Sequence, residues 1–317
     1  MTEPTKRIPL VAVVGPTASG KTGLAVELAK AFDGEVISAD SMQVYRQMDI
    51  ATAKPTAEEM SGIPHHLIDF LEPDDAAFSV ADYAELAHTA ISEIAGRKKL
   101  PILAGGTGLY VNAVVDNINY AEIRNDETVR LELESVARQK GNQFLLGQLA
   151  AVDPELAAAL HPNNLGRIIR ALEVYRLTGI PMSEHQRRSR MEGPRYDLCM
   201  LGLSFAERKN LYDRINRRVD IMMEEGLLEE TRRISRIYGG TARQAIGYKE
   251  LEACLNGSAT LEACVAALKQ ATRRYAKRQM TWFGRDPRIH WLIVDSFYDH
   301  SMLLEAAKNI IHNSGIL

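Results

Sequence analysis

Between a strand-like run and a helix-like run lies Gly15-Pro16-Thr17-Ala18-Ser19-Gly20-Lys21-Thr22, which meets G-x-x-x-x-G-K-[ST] at every fixed position. Ahead of it, Ile8-Pro9-Leu10-Val11-Ala12-Val13-Val14 is short, apolar and β-rich. Behind it, Leu24, Ala25, Leu28 and Ala31 recur at helical spacing. In that setting the motif is a phosphate-binding loop rather than a glycine-rich turn beside a surface lysine. Loop amides and the helix N-terminus would cradle a di- or triphosphate, Lys21 would reach the terminal phosphate, and the Thr22 hydroxyl would ligate Mg²⁺. Such a loop commits the chain to an α/β fold with a parallel sheet.

The continuing pattern agrees. Glu35-Val36-Ile37-Ser38 reads as a second strand, with Ala39-Asp40-Ser41-Met42-Gln43 at its carboxyl end, where open α/β sheets bind ligands. Residues 48–69 are loop-rich, and the adjacent His65 and His66 suit a structural or substrate-loop role better than a metal site. A helix over 79–95 is stopped by Gly96, and a buried strand over 100–104 ends in Gly105-Gly106-Thr107-Gly108. After Val115 the texture turns helical, with helices expected over 126–141, 153–160 and 163–179. Strand character returns at 198–203, so 116–197 reads as an all-helical insertion in a phosphate-loop core made of 1–115 and 198–317. Further helices are expected over 206–238, punctuated by Gly226, over 261–283 and over 303–311, with a last strand over 289–294.

Composition narrows the function. The chain has 317 residues, 46% of them hydrophobic, enough for a large core in one or two domains. Its net charge is −3, from 38 basic and 41 acidic residues, so any attraction to nucleic acid must come from local clusters. The densest lies between Lys269 and Arg288, where Arg273, Arg274 and Lys277 are interleaved with Tyr275, Trp282 and Phe283, as phosphate contacts and base stacking require. A solvated helix face explains the same residues equally well. Cys199, Cys254 and Cys264 form no C-x-x-C pair, which argues against zinc or a disulfide framework and fits a reducing cytosol. Lys6 and Arg7 before an apolar run mimic a signal peptide, but cleavage there would sever the phosphate loop. No apolar segment nears the roughly 20 residues of a membrane span.

A nucleoside triphosphatase needs an apolar strand ending in an acid, whereas the strand at 102–104 ends in glycines and a threonine. No N-K-x-D guanine reader occurs. Asp40 is the best-placed acid, so the phosphate is expected to be bound as a leaving group while Asp40 acts as a base on an incoming nucleophile.

Seven blocks then appear in order: GPTASGKT (15–22), SADSMQVYRQMDIATAKP (38–55), HHLID (65–69), GGTGLY (105–110), RALEVYRLTG (170–179), AIGYKE (245–250) and TRRYAKRQMTWF (272–283). Together they resemble the tRNA dimethylallyltransferase family, over about residues 8–292. The resemblance implies transfer of a dimethylallyl group from dimethylallyl diphosphate to N6 of the adenosine 3′ of the anticodon, with Mg²⁺, by a cytoplasmic monomer. It makes Asp40 the base, and Thr107 and Arg218 the stabilisers of the departing diphosphate, which sits on Gly15 to Thr22. It places tRNA contacts at Asp40, Ser41, Met42, Gln43 and Thr107, at Arg130, at Asn163, Asn164, Leu165, Gly166 and Arg167, and at Gln244, Ala245, Ile246, Gly247, Tyr248 and Lys249. Arg273, Arg274 and Lys277 are expected to join them. Gln47 and Ala51 stand where the family usually has glycines, and 116–124 lacks the family's wording, which bears on Arg124 and Arg130. Two rival readings are a transferase acting on a free adenine nucleotide, which would need neither the insertion nor the basic helix, and a small-molecule kinase, which would need an arginine-rich lid and a magnesium carboxylate.

Overall fold

The computed structural model describes residues 7–73, 78–118, 126–189, 193–237 and 245–317. The chain divides into two compact units, residues 1–115 with 195–317, and residues 116–194. The first unit runs β1 (Ile8–Val14), α1 (Lys21–Ala31), β2 (Gly34–Ser38), α2 (Ala57–Met60), β3 (His65–His66), α3 (Val80–Gly96), β4 (Leu100–Gly105) and α4 (Gly108–Val115). The second unit holds α5 (Glu127–Lys140), α6 (Asn142–Val152), α7 (Pro154–Ala158), α8 (Leu165–Thr178) and α9 (Met182–Ser189). The first unit then resumes with β5 (Tyr196–Ser204), α10 (Arg208–Glu224), α11 (Leu227–Ile237), α12 (Tyr248–Leu255), α13 (Leu261–Phe283), β6 (Ile289–Ile293) and α14 (His300–Asn313).

All six strands are parallel, in the order β3-β2-β4-β1-β5-β6. Alternate residues of β1 serve opposite faces. Leu10, Ala12 and Val14 pack with Tyr83, Ile91, Val111 and Val114 of α3 and α4, whereas Val11 and Val13 pack with Leu24 and Leu28 of α1 and Leu303 and Ile311 of α14. Burial on both faces is why β1 is one continuous apolar run. The chain enters the sheet at β1, fills one side with β2, β3 and β4, and then crosses to β5, so a crevice opens at the carboxyl end of β1.

Two local differences from the sequence reading have simple causes. The second unit ends at Pro194 instead of 197, because Tyr196 already pairs with Ile8 as the first rung of β5. Helix α6 was not anticipated because Gly141, read only as a stop, both ends α5 and precedes α6. The second unit has its own core, in which Leu133, Leu145, Leu149, Ile168 and Leu172 meet.

Helix α3 ends at Gly96, but the left-handed turn into β4 falls on Lys98, at φ 60°. That exposed lysine carries a Cβ where glycine would be unstrained. Lys98→Gly is expected to raise unfolding stability by about 0.5 to 1 kcal/mol, seen as a higher urea midpoint at constant slope, while Lys98→Ala leaves it unchanged. A lower midpoint for the glycine variant would refute the strain argument.

Candidate active site

Three loops meet at the carboxyl ends of β1, β2 and β4. The first leaves β1 through Gly15, at φ 140°, where a Cβ would lie 2.6 Å from the Leu203 carbonyl oxygen. Ala18 takes a left-handed conformation, φ 61°, and its carbonyl accepts from Arg214 Nε of α10 at 2.8 Å. Gly20, at φ 96°, precedes α1 with no side-chain cap, which leaves the helix's first amides for an anion. Lys21 Nζ donates to the Pro16 carbonyl at 2.7 Å. Although the residue as a whole is only half-buried, its ammonium is desolvated, and burial first, then the charge of Arg218, bring its pKa down to about 7 against the opposing pull of Asp40.

Asp40 follows β2. Its Oδ1 accepts the Met42 and Gln43 amides at 2.9 and 3.4 Å, an Asx turn that occupies one carboxylate oxygen. The strand end beneath it is held by the buried Tyr83 hydroxyl, which donates to the Ser38 carbonyl at 3.0 Å. Gln43 accepts from Ser38 Oγ and donates to the Thr52 and Ala53 carbonyls, so its amide staples the 48–53 loop to the turn. Gln47, in that loop, is left-handed at φ 64°, which accounts for glycine being the residue expected there.

The third loop is shaped by α13. At Gly106 a Cβ would lie 2.2 Å from Gln279 Nε2, and at Gly108 one would lie 2.3 Å from Trp282. Gly106 and Gly108 are therefore glycines because a helix lies directly on them, whereas at Gly105 a Cβ would meet the Ala39 backbone at 2.1 Å. Gln279 is buried and bridges Thr17 of the phosphate loop to Gly106. Thr107 was expected to face the leaving group, but its Oγ1 accepts the Ser41 amide at 3.0 Å and donates to Ser41 Oγ at 3.3 Å, so the structure directs it to the Asp40 turn. Burial, then the nearby Asp40, raise the Tyr275 hydroxyl far above its ordinary range and keep it neutral.

A cavity of about 340 Å³ joins these parts. Its polar wall includes Thr17, Lys21, Thr22, Asp40, Arg218 and Tyr275, and its apolar wall includes Val219, Met222, Leu227 and Leu268. Burial lowers the Arg218 pKa, opposed by Glu59 and Asp40, and the guanidinium remains a cation. Ser41, Met42, Gln43, Ala245, Ile246, Gly247 and Lys249 also line the cavity. Tyr248 does not, because it is buried with its hydroxyl donating to Glu230 Oε1 at 2.9 Å. Gln244 and Arg124 lie outside the described residues.

Elsewhere the expected nucleic-acid residues divide. Arg274 and Lys277 are exposed, whereas Arg273 is half-buried with its guanidinium 2.6 Å from Asn216 Oδ1. In the second unit Arg130, Asn163, Asn164, Gly166 and Arg167 are exposed, while Leu165 packs on that unit's core. Arg170 pairs at 3.0 Å with the fully buried Glu173.

Sequence reasoning missed two residues of the first unit, Gln279 and Glu230, and read Tyr275 only as an aromatic interleaved with the basic cluster. Tyr275, Gln279 and Trp282 fall at i, i+4 and i+7, a polar and aromatic stripe beside the basic face. Glu230 gave no signal. Its carboxylate accepts the Asp49, Ile50 and Ala51 amides at 2.9 to 3.0 Å as well as the Tyr248 hydroxyl.

A family model described as IPP transferase matches residues 43–286. The chain belongs to the IPP transferase family. The tRNA dimethylallyltransferase of Thermoanaerobacter sp. (strain X514) is 49% identical over 308 residues, 96% of either chain, and that of Bacillus subtilis (strain 168) is 50% identical over 288, 89% of this chain and 90% of its own. Among solved structures, the full-length tRNA isopentenylpyrophosphate transferase of Bacillus halodurans is 48% identical with a TM-score of 0.71, covering 97% of this chain and 98% of its own. A eukaryotic dimethylallyltransferase acting on tRNA is 28% identical with a TM-score of 0.79, covering 97% and 80%.

In this IPP transferase the cavity wall at 49–53 hangs on Glu230. Glu230→Gln places an amide N–H₂ against backbone donors, so it is expected to destabilise the protein by about 2 to 4 kcal/mol, against about 1 kcal/mol for Tyr248→Phe. Urea unfolding measures both. Equal midpoints for Glu230→Gln and the parent would refute the anchoring role.

Proposed function

We propose that this protein transfers the dimethylallyl group of dimethylallyl diphosphate to the exocyclic N6 of the adenosine immediately 3′ of the anticodon in tRNA, releasing diphosphate. The observation that carries the reading is that the phosphate loop, Asp40 and Arg218 all line one cavity that also has an apolar wall. The family relationship supports the same acceptor, since the relatives are named for tRNA. All of these groups come from one chain, which suits a monomer, and the reading puts the enzyme in the cytoplasm with its tRNA.

The donor's phosphates lie on the amides that open α1, with Lys21 and Arg218 as cations against them. The five-carbon group then faces the apolar wall. Adenine N6 is a poor nucleophile because its lone pair is delocalised. Asp40 accepts a hydrogen bond from N6 with the oxygen its turn does not use, orients the amine, and takes the proton as the N6–C1 bond forms and the C1–O bond breaks. The bonding pair leaves with diphosphate, where Lys21 and Arg218 meet the developing charge. Mg²⁺ fits this site, because the Thr22 hydroxyl lines the cavity and is a hard oxygen donor of the kind it takes alongside phosphate oxygens. When bound it supplies further neutralisation of the leaving diphosphate.

Labelled dimethylallyl diphosphate offered with bulk tRNA or with adenosine monophosphate tests the acceptor. Label is expected in tRNA, and label in the mononucleotide alone would overturn the reading. Asp40→Asn preserves the turn, since asparagine also accepts backbone amides, but removes basicity. It is expected to bind tRNA and donor within a few-fold of the parent while kcat falls by about 10²- to 10⁴-fold. Single-turnover transfer near the parental rate would reject Asp40 as the base.

Neutralising the exposed Arg274 and Lys277 is expected to weaken tRNA binding and flatten its salt dependence by roughly 0.7 to 0.9 per phosphate contact in log–log slope, with donor binding unchanged. An unaltered slope would leave them as solvated surface. Arg273→Ala, by contrast, loses its Asn216 contact and is expected to lower thermal stability.

A further inference from the structure

Gln279 sits where α13, the phosphate loop and the β4 loop meet. Its Oε1 accepts the Thr17 amide at 2.8 Å, and its Nε2 donates to the Gly106 carbonyl at 3.0 Å. Those partners lie 262 and 173 positions away along the chain. The fit is close on the Gly106 side, where even a methyl group would come within 2.2 Å of Nε2. Thr17 opens the turn that holds the phosphates. Gly106 precedes Thr107, whose hydroxyl takes the Ser41 amide and so fixes the turn that carries Asp40. One amide group thus joins the leaving-group side of the cavity to the base side.

We propose that Gln279 is a positioning residue for the transfer reaction, setting the separation between the phosphate loop and the Asp40 turn by accepting from one loop and donating to the other. The inference rests on the transfer activity proposed above and concerns how its two reacting sides are aligned. A side chain with a donor and an acceptor at amide spacing satisfies both partners, and a side chain with only one leaves a buried backbone group unpaired. Displacements of about 1 Å between reacting groups cost on the order of 10²-fold in rate, so the loss of either bond should be read in transfer and not in tRNA affinity.

Gln279→Glu separates positioning from simple packing. A protonated carboxyl has both an O–H donor and a C=O acceptor and reproduces both bonds, whereas the ionised form can only accept and turns a charge toward the Gly106 carbonyl. Burial beside that carbonyl raises the carboxyl above the ordinary glutamate range. Gln279→Met keeps the shape and makes neither bond at any pH.

Single-turnover transfer to tRNA would be measured for the parent and both variants between about pH 5 and 9, with thermal melting and tRNA binding at each pH. Taking each rate relative to the parent removes the parent's own titrations. The Gln279→Glu ratio is expected to stand near one at the acid end and to fall up to tenfold per pH unit above the carboxyl's titration, toward the Gln279→Met ratio of about 10⁻². Binding of tRNA should stay within a few-fold throughout. A Gln279→Glu ratio that does not change with pH, a Gln279→Met variant that transfers at the parental rate, or losses that track unfolding in the melting curves would each overturn the positioning role. Failure of the parent itself to label tRNA would instead reject the transfer activity.

Discussion

Parallel strands cannot be joined by tight turns, so each of the six must return through a crossover, and all six therefore finish on the same side of the sheet. The site depends on that constraint. Val14, Ser38 and Gly105 end neighbouring strands, and the residues that follow them bring a phosphate loop, a carboxylate turn and a glycine-rich turn to one cavity without any long-range signal in the sequence. The sheet supplies the alignment, and the loops supply the chemistry.

How legible each part was follows from the range of the interaction behind it. The phosphate loop, the strand and helix alternation and Asp40 were readable because each is set by neighbours within a few residues. The limits of α13, Leu261–Phe283, were readable for the same reason, since Thr260 caps it and the helical pattern runs unbroken. Gln279 and Glu230 were not, because their backbone partners lie in loops more than 170 positions away and a lone Gln or Glu on a helix ordinarily faces water. Arg170 is a middle case. Its partner Glu173 stands three residues on, but the complete burial of that carboxylate depends on the packing of α8 in the second unit's core.

The distribution of charge also separates a site from a scaffold. Surface pairs such as Lys30–Glu27 and Lys209–Asp213 are exposed and add little. In the cavity, by contrast, Lys21 and Arg218 are desolvated basic groups beside Asp40, with Glu59 also acting on Arg218, and burial lowers the pKa of both. Buried like charges are costly unless something balances them. An anionic ligand on the phosphate loop supplies that balance. A surplus of positive charge in a desolvated site favours an anionic ligand there.

Helix α13 carries two kinds of surface on one rigid body. Arg274 and Lys277 face outward, while Tyr275, Gln279 and Trp282 face the loops. A helix of 23 residues could slide or roll on a smooth partner, but this one rests where Gly106 and Gly108 leave no room for a Cβ, and Gln279 and Trp282 are bonded on either side of that contact. The observed position satisfies both glycine contacts and both hydrogen bonds. The outward basic face is consequently held at a set distance from the phosphate loop, and an acceptor bound along that face would meet the donor in a fixed register, with no lid or hinge needed to align them.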